Sequence, residues 1–269
     1  MTHNQLKKLA ESYGIDLQYV TSWSPPHTDD LRPLIAMPNQ PRPLHGEGCQ
    51  PRTILRPKDW NAMRKKCYED AGLKCQICGA EVGKDIEKRQ LHAHEVMMID
   101  WEHGTSTFLG CVATCFLDHI GCIHNGRAIT LYSKNSPLIT KEFLLEGAEK
   151  AFTIISSYNR DHPGAGLRAY CTYLQYLKFD ELREPMLELI KKYDISFYSE
   201  DPKRMAPWGS WRLLLDGEEY PTPYKNEKEW QKAMEEKTYN DKFGKGVEIK
   251  VKPLTDEEIK EEHDKLKKF

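Results

Sequence analysis

The chain has 269 residues, 39% of them hydrophobic and 30% charged, with a formal net charge of −2 and a pI near 6.6. That length can bury a substantial core, and no apolar run approaches the roughly 20 residues a membrane-crossing helix needs. The near-neutral balance argues against a strongly basic, constitutive nucleic-acid binder, and an opening without the apolar stretch of a secretory signal points to the cytoplasm.

Residues 4–13 carry apolar positions at helical spacing, with Gly14 as the stop. Asp16 to Val20 reads as a strand. From Ser22 to Pro57 the chain is proline-rich, with seven prolines between Pro25 and Pro51, the mark of a loop or extended arm packed on something else. A helix is expected after Pro57, with Trp60, Met63 and Cys67 on one face and Gly72 ending it. Arg64, Lys65 and Lys66 on that helix either meet a phosphate backbone or form a solvated face. Cys75-x-x-Cys78-Gly79 reads as a knuckle turn, in which glycine permits the tight backbone. Gln90 to Asp100 alternates as a strand, Phe108 to Thr114 is the returning strand, and a helix is expected to hold Cys115 through Cys122.

Residues 137–195 read as helical, in segments near 140–159, 165–178 and 180–194. The tyrosines at 170, 173, 176 and 198 are read as core and interface. Trp208 to Tyr220 reads as a β-hairpin turning at Asp216-Gly217. Residues 225–269 hold 12 Lys and 12 Asp/Glu, so they read as a solvated tail with a short final helix.

Six of the eight cysteines lie between Cys67 and Cys122. Without an export signal, thiols and metal explain them better than disulfides. Cys75 and Cys78, answered by Cys115 some tens of residues later, have metal-site spacing, because thiolate and imidazole are what tetrahedral zinc prefers. The fourth ligand stands open between Asp118 and His119, with Cys111 and Cys122 as outside candidates. If Asp118 takes it, His119 and His124 remain as an i,i+5 pair, which does not align on one face of an α-helix. His92 and His94 share a face if their segment is a strand. A purely structural zinc knuckle does not need these histidines, whereas metal-assisted hydrolysis does.

The order of Cys75-x-x-Cys78, a Leu91-x-x-His94-Glu95 strand, a second Cys/His half-site and a closing His124-Asn125-Gly126-Arg127 resembles the HNH endonucleases. It is similar in particular to the Cys-rich phage and bacterial HNH-like proteins, over about Asp59 to Ala128. The resemblance implies an α+β fold: a zinc-braced ββα-metal module with a mainly helical C-terminal region and a β-hairpin. The expected segments are an N-terminal helix and Pro-rich arm (1–56), the zinc module (57–135), a helical region with the Trp-rich hairpin (136–224) and the charged tail (225–269).

The resemblance further implies metal-dependent hydrolysis of DNA phosphodiester bonds, with His94 as general base and His119 as a catalytic partner. His119 and His124 would hold Mg²⁺ or another divalent ion, and His92 the metal or a phosphate. Structural Zn²⁺ would sit on Cys75, Cys78, Cys115 and either Asp118 or His119. Arg64, Lys65 and Arg127 would contact nucleic acid. The expected partner is DNA, with a protein partner possible through the C-terminal region, in the host cytoplasm if the chain is phage-encoded.

Anchoring the pattern instead on His124-Asn125-Gly126-Arg127 puts His119 in the zinc site and Ile120 where the family's metal-binding histidine falls. Gly110 stands where many members carry an asparagine. These departures and the neutral charge support a competing expectation: a non-catalytic HNH-like zinc scaffold binding a protein, nucleic acid or nucleotide in phage–host conflict. A zinc deaminase is set aside, because its His-x-Glu before Pro-Cys-x-x-Cys order is absent.

Overall fold

Period-two alternation in residues 91–100 produces one of the two longest strands. β2 (Leu91–Asp100) pairs antiparallel with β3 (Thr105–Cys115), with His94 opposite Val112 and Leu91 opposite Cys115. The returning strand is longer than the sequence suggests, because pairing runs down to Asp100 and Thr105. The register shifts between Val96 and Met97, where Gly110 and Phe108 are the partners, so Leu109 is the extra residue of a bulge. Gly110 has φ +126°, a conformation other residues rarely adopt, which explains a glycine at this point in the strand.

The computed structural model describes residues 3–20, 30–36, 40–46, 48–81, 91–163, 169–201 and 203–240. Residues Met1–Trp230 form one compact unit and Gln231–Phe269 a second. The first is mixed α+β. A four-stranded sheet runs β2-β3-β6-β7, where β6 (Arg212–Leu215) and β7 (Glu218–Pro221) are the hairpin expected around Asp216-Gly217. Both turn residues have positive φ, 52° and 84°, as a type I′ turn requires. β6 lies parallel to β3, with Thr105 beside Arg212 and Thr107 beside Leu214. Residues 91–115 and 212–221 therefore share one sheet. The other sheet is parallel, in the order β1 (Leu17–Val20), β5 (Phe197–Glu200), β4 (Ala169–Tyr170).

The helices differ from expectation chiefly in the proline-rich stretch. α1 (His3–Ser12) ends before Gly14 as expected. Where a loop is expected, Pro33 begins α2 (Pro33–Ala36) and Pro51 begins α3 (Pro51–Ile54), followed by α4 (Pro57–Asp70). Proline suits the first turn of a helix, where its missing N–H has no intrahelical partner to lose. The parts of this arm at 21–29, 37–39 and 47 lie outside the described residues.

The expected helix over Cys115 to Cys122 is instead the last residue of β3 followed by a π-helical turn, Leu117–Ile123, which leads into α5 (Asn125–Ser133). The expected helix 165–178 is a 3-10 helix, Cys171–Lys178, preceded by β4, with 164–168 outside the described residues. α6 (Lys141–Asp161) and α7 (Asp180–Lys192) match expectation. α8 (Glu227–Asn240) begins in the first unit, and its opening residues are not simply solvated. Glu227 pairs with Arg42 at 2.8 Å and Trp230 Nε1 donates to the His45 carbonyl at 2.9 Å. The final helix expected beyond residue 240 lies outside the described residues. Among the described residues no helix is long and apolar enough to cross a membrane.

α6 is the spine of the main core, burying Leu144, Ala148, Ala151, Phe152 and Ile155. Tyr173 and Tyr176 are buried beside it, and their hydroxyls donate to the carbonyls of Cys122 (3.2 Å) and Asn125 (3.4 Å). Those bonds tie the π-helical turn and the start of α5 to the core. Closer still, a Cβ on Gly147 of α6 would lie 2.9 Å from backbone atoms of Gly121 in the π-helical turn. Glycine at both positions lets two backbones touch. Gly147→Ala is therefore expected to force them apart and cost about 1–3 kcal/mol, seen as a lower urea midpoint without loss of secondary structure.

Candidate metal centres

The first centre is built by three separate pieces of backbone. Cys75 and Cys78 sit on a turn closed by Gly79 N–H donating to the Cys75 carbonyl at 2.7 Å, with Gly79 at φ +72°. Gln76 stitches this knuckle to β3: its N–H donates to the Ala113 carbonyl and its side-chain oxygen accepts from the Ala113 N–H, both at 2.8 Å. Cys115 ends β3, and Asp118 lies in the first turn of the π-helical segment.

The four donor atoms all lie within 4.8 Å of one another and form a group that can hold a metal ion. Asp118 Oδ2 is 3.1 Å from Cys75 Sγ and 3.4 Å from Cys115 Sγ, and Cys78 Sγ is 3.8 Å from Cys115 Sγ. Asp118, and not His119, stands with the thiols. The two outside candidates are not in the donor group: Cys122 Sγ donates to the Gly147 carbonyl at 3.3 Å and lies 3.9 Å from Asp118 Oδ1, and Cys111 Sγ lies 3.9 Å from Met63 Sδ.

One residue of this centre carries no motif signal. Lys150, on α6, forms an ion pair with the second oxygen of Asp118, which is fully buried. Burial pushes the Asp118 carboxyl up, and the Lys150 charge and hydrogen bond oppose it. Burial works against the Lys150 ammonium, but Asp118 outweighs it and holds the group above its ordinary range. Among the thiols, hydrogen bonds from Cys115 and then Cys75 hold Cys78 far below the usual thiol range, while Cys115, bonded to Cys75 and Cys78, is pushed far above it.

The second centre is the group His94, His119 and His124, whose donor atoms also lie within 4.8 Å and can hold a metal ion. Strand alternation turns His92 and His94 to one side of β2, toward the π-helical turn. The His94 ring centroid lies 5.4 Å from His119 and 5.1 Å from His124, and His92 lies 4.8 Å from His119. The i,i+5 spacing of His119 and His124, unsuited to an α-helix, is met by the π-helical turn. Its i→i+5 bond runs from His124 N–H to the His119 carbonyl at 2.8 Å, and the two rings come within 4.6 Å. Ile120, which the alternative alignment puts where the family's metal-binding histidine falls, is buried in the apolar core.

These imidazoles are held neutral, the form that ligates metal. Burial, then the charges of His119 and Arg52, lowers His94 to about 3. Burial, then His124, lowers His119 to about 2, and burial places His124 well below its ordinary value. Among the described residues neither ring nitrogen of His94 has a hydrogen-bond partner, nor does Nδ1 of His119 or Nε2 of His92. Buried nitrogens without partners carry a desolvation cost that a bound ion or substrate offsets. Both donor sets thus fit metal on their own chemistry.

His94 and His124 line a cleft of about 420 Å³, together with Arg42, Arg52, Arg127 and Trp230. Arg127 is exposed in the first turn of α5. Arg64 is half-buried beside Tyr68, 3.4 Å from its hydroxyl, and its charge and that of Arg127 both act on His92. Lys65 is not brought to the cleft: it is exposed and lies 3.8 Å from Glu69. Arg42, Arg52 and Trp230 escape sequence reading, since they come from distant segments with no motif around them. Comparison with family models, with curated proteins and with solved structures found no match.

Two separable metal classes follow from the two donor sets. Cobalt-loaded wild type is expected to show thiolate-to-cobalt charge transfer that Cys115→Ser abolishes and His119→Ala leaves intact. Elemental analysis of each variant should then count one ion fewer than wild type.

The low histidine values also set an acid limit. A buried histidine that resists protonation makes the unfolded chain the better proton acceptor. In metal-stripped protein the stability held by His94 is whole above about 6.5 and falls as pH drops toward about 3. His94→Gln should flatten that decline in urea titrations run across the range.

Proposed function

We propose that the protein is a metal-dependent phosphodiester hydrolase of the HNH type, acting on DNA. The observation that carries this reading is the histidine group, held neutral and with unpartnered buried nitrogens on His94 and His119, beside an arginine-lined cleft where α5 begins. The element order supports it as well: a β2–β3 hairpin, then the turn bearing His119 and His124, then α5, with the thiol group bracing the base.

The donor chemistry narrows the ions. Three thiolates and a carboxylate suit Zn²⁺ in a structural role. The histidine group suits Zn²⁺, Mn²⁺ or Ni²⁺ better than the Mg²⁺ that the resemblance allows, because Mg²⁺ prefers oxygen ligands. A divalent ion there supplies positive charge that stabilises the negative charge developing on the phosphate and leaving oxygen.

The chain's own groups do the rest. The N-terminus of α5 presents its positive end to the cleft, and Arg127 adds charge for the non-bridging phosphate oxygens, while Arg52 is paired with Glu95. A water oxygen bonds to phosphorus, its proton passes to an imidazole of β2, and the bond from phosphorus to the leaving oxygen breaks. The leaving oxygen takes a proton from solvent.

His94 is the proton acceptor that the resemblance assigns. A second assignment is favoured by its depth: at 1% exposure, with its donor atoms among those of His119 and His124, His94 is suited to be a third ligand. His92, two residues earlier on the same face with Nε2 unpartnered, then accepts the proton.

Nicking of supercoiled plasmid with Mn²⁺, Ni²⁺ or Mg²⁺ tests the reading. The residue acting as base should lose roughly 10²–10⁴-fold in rate on change to alanine while keeping its metal; the residue acting as ligand should lose metal too. No cleavage of supercoiled plasmid or of single-stranded DNA by folded, metal-loaded wild type would transfer the assignment to the non-catalytic scaffold.

A further inference from the structure

The geometry points to a single unpaired nucleotide as the unit this cleft accepts, with its base on Trp230 and its phosphate at the histidines. This deepens the hydrolase reading and rests on it.

The depth of the site is the first argument. His94 is 1% exposed, and it lines the cleft together with Trp230, Gln40, Arg42 and His45. At about 420 Å³ the cleft falls within the roughly 300–1,000 Å³ that hold a small ligand. A phosphate on the outside of a duplex is flanked by its neighbours and their paired bases. It reaches a recessed imidazole only when the nucleotide is drawn out of the stack, at a cost of a few kcal/mol that an unpaired strand does not meet.

The second argument is the platform. Trp230 is fixed from three directions: Nε1 donates to the His45 carbonyl at 2.9 Å, Trp208 packs with ring centroids 6.0 Å apart, and the Arg42 guanidinium sits over one face of the ring, 6.0 Å from its centroid. Glu227 holds Arg42 at 2.8 Å. An aromatic ring held beside a phosphate-binding floor is how unpaired bases are gripped without regard to sequence.

Charge agrees. Arg52 lies 3.2 Å from Glu95, and among the described residues Arg127 makes no ion pair. Glu95 and Glu200 also line the cleft and Arg42 is paired with Glu227, so the unbalanced charge is that of Arg127, which suits a single phosphate and not the long run of a duplex.

The test uses full-length, metal-loaded protein and a fluorescent 12-nucleotide DNA, single-stranded or annealed to its complement. Anisotropy should give at least tenfold tighter binding of the single strand. Trp230→Ala should weaken that binding roughly tenfold or more, the scale of base–aromatic stacking, with Trp230→Phe restoring most of it. Arg127→Gln, which leaves the platform intact, should weaken it as well.

Thymidine 5′-monophosphate added as competitor separates the sources. Displacement at equal nucleotide concentration assigns a free nucleotide, and resistance assigns a strand; both keep the single-nucleotide cleft. Equal or tighter duplex binding, or binding indifferent to both Trp230→Ala and Arg127→Gln, overturns it. Cleavage of both forms at equal rates overturns the inference and leaves the hydrolase standing. Single-strand preference with no cleavage of either form does the reverse.

Discussion

The hydrogen bond from His124 N–H to the His119 carbonyl sets the geometry of both candidate metal groups. It closes a turn one residue wider than an α-helix, and that width decides where consecutive side chains go. Asp118 is sent back to the thiols of the knuckle while His119, its neighbour, is sent forward to His124 and to the histidines of β2. A regular α-helix over the same residues would turn His119 and His124 away from each other. The wider turn is permitted by the core beneath it: Gly121 meets Gly147 backbone to backbone, and Tyr173 and Tyr176 take up carbonyls at its end.

Electrostatics divide the two groups as clearly as geometry. In the thiol group the buried Asp118 carboxylate meets the half-buried Lys150 ammonium at its far oxygen. Such a pair is costly to break, because removing either partner leaves the other charged and desolvated. The histidine group carries no charge of its own and faces Arg52 and Arg127, whose fields favour neutral imidazole and a negatively charged guest. One set of donors is suited to a soft, permanently held ion, the other to an ion that shares its neighbourhood with a substrate.

Much of this was legible in the sequence, and the illegible parts share a cause. Cys75, Cys78 and Cys115 stand together as their spacing suggests, and β-alternation put His92 and His94 on one face. The choice of Asp118 over His119 was not legible, because it hangs on a helical pitch that no local residue pattern announces. The short helices at Pro33 and Pro51 were read as loop, since proline density was weighed above proline's fitness for a first helical turn. The cleft was invisible for another reason: Arg42, Arg52, Arg127 and Trp230 meet only after segments far apart in sequence have packed.

The parallel pairing of β3 with β6 carries a consequence for the order in which the chain acquires its shape. Thr105 to Thr107 find their partners in Arg212 to Leu214, more than a hundred residues later. Closing so long a loop is entropically expensive, and such contacts form late. During synthesis both metal groups are complete once residue 124 has emerged, while this edge of β3 waits for its partner. The donors of both groups are thus all present before the sheet can be completed, and the bare edge is a stretch of nascent chain open to pairing with a stranger.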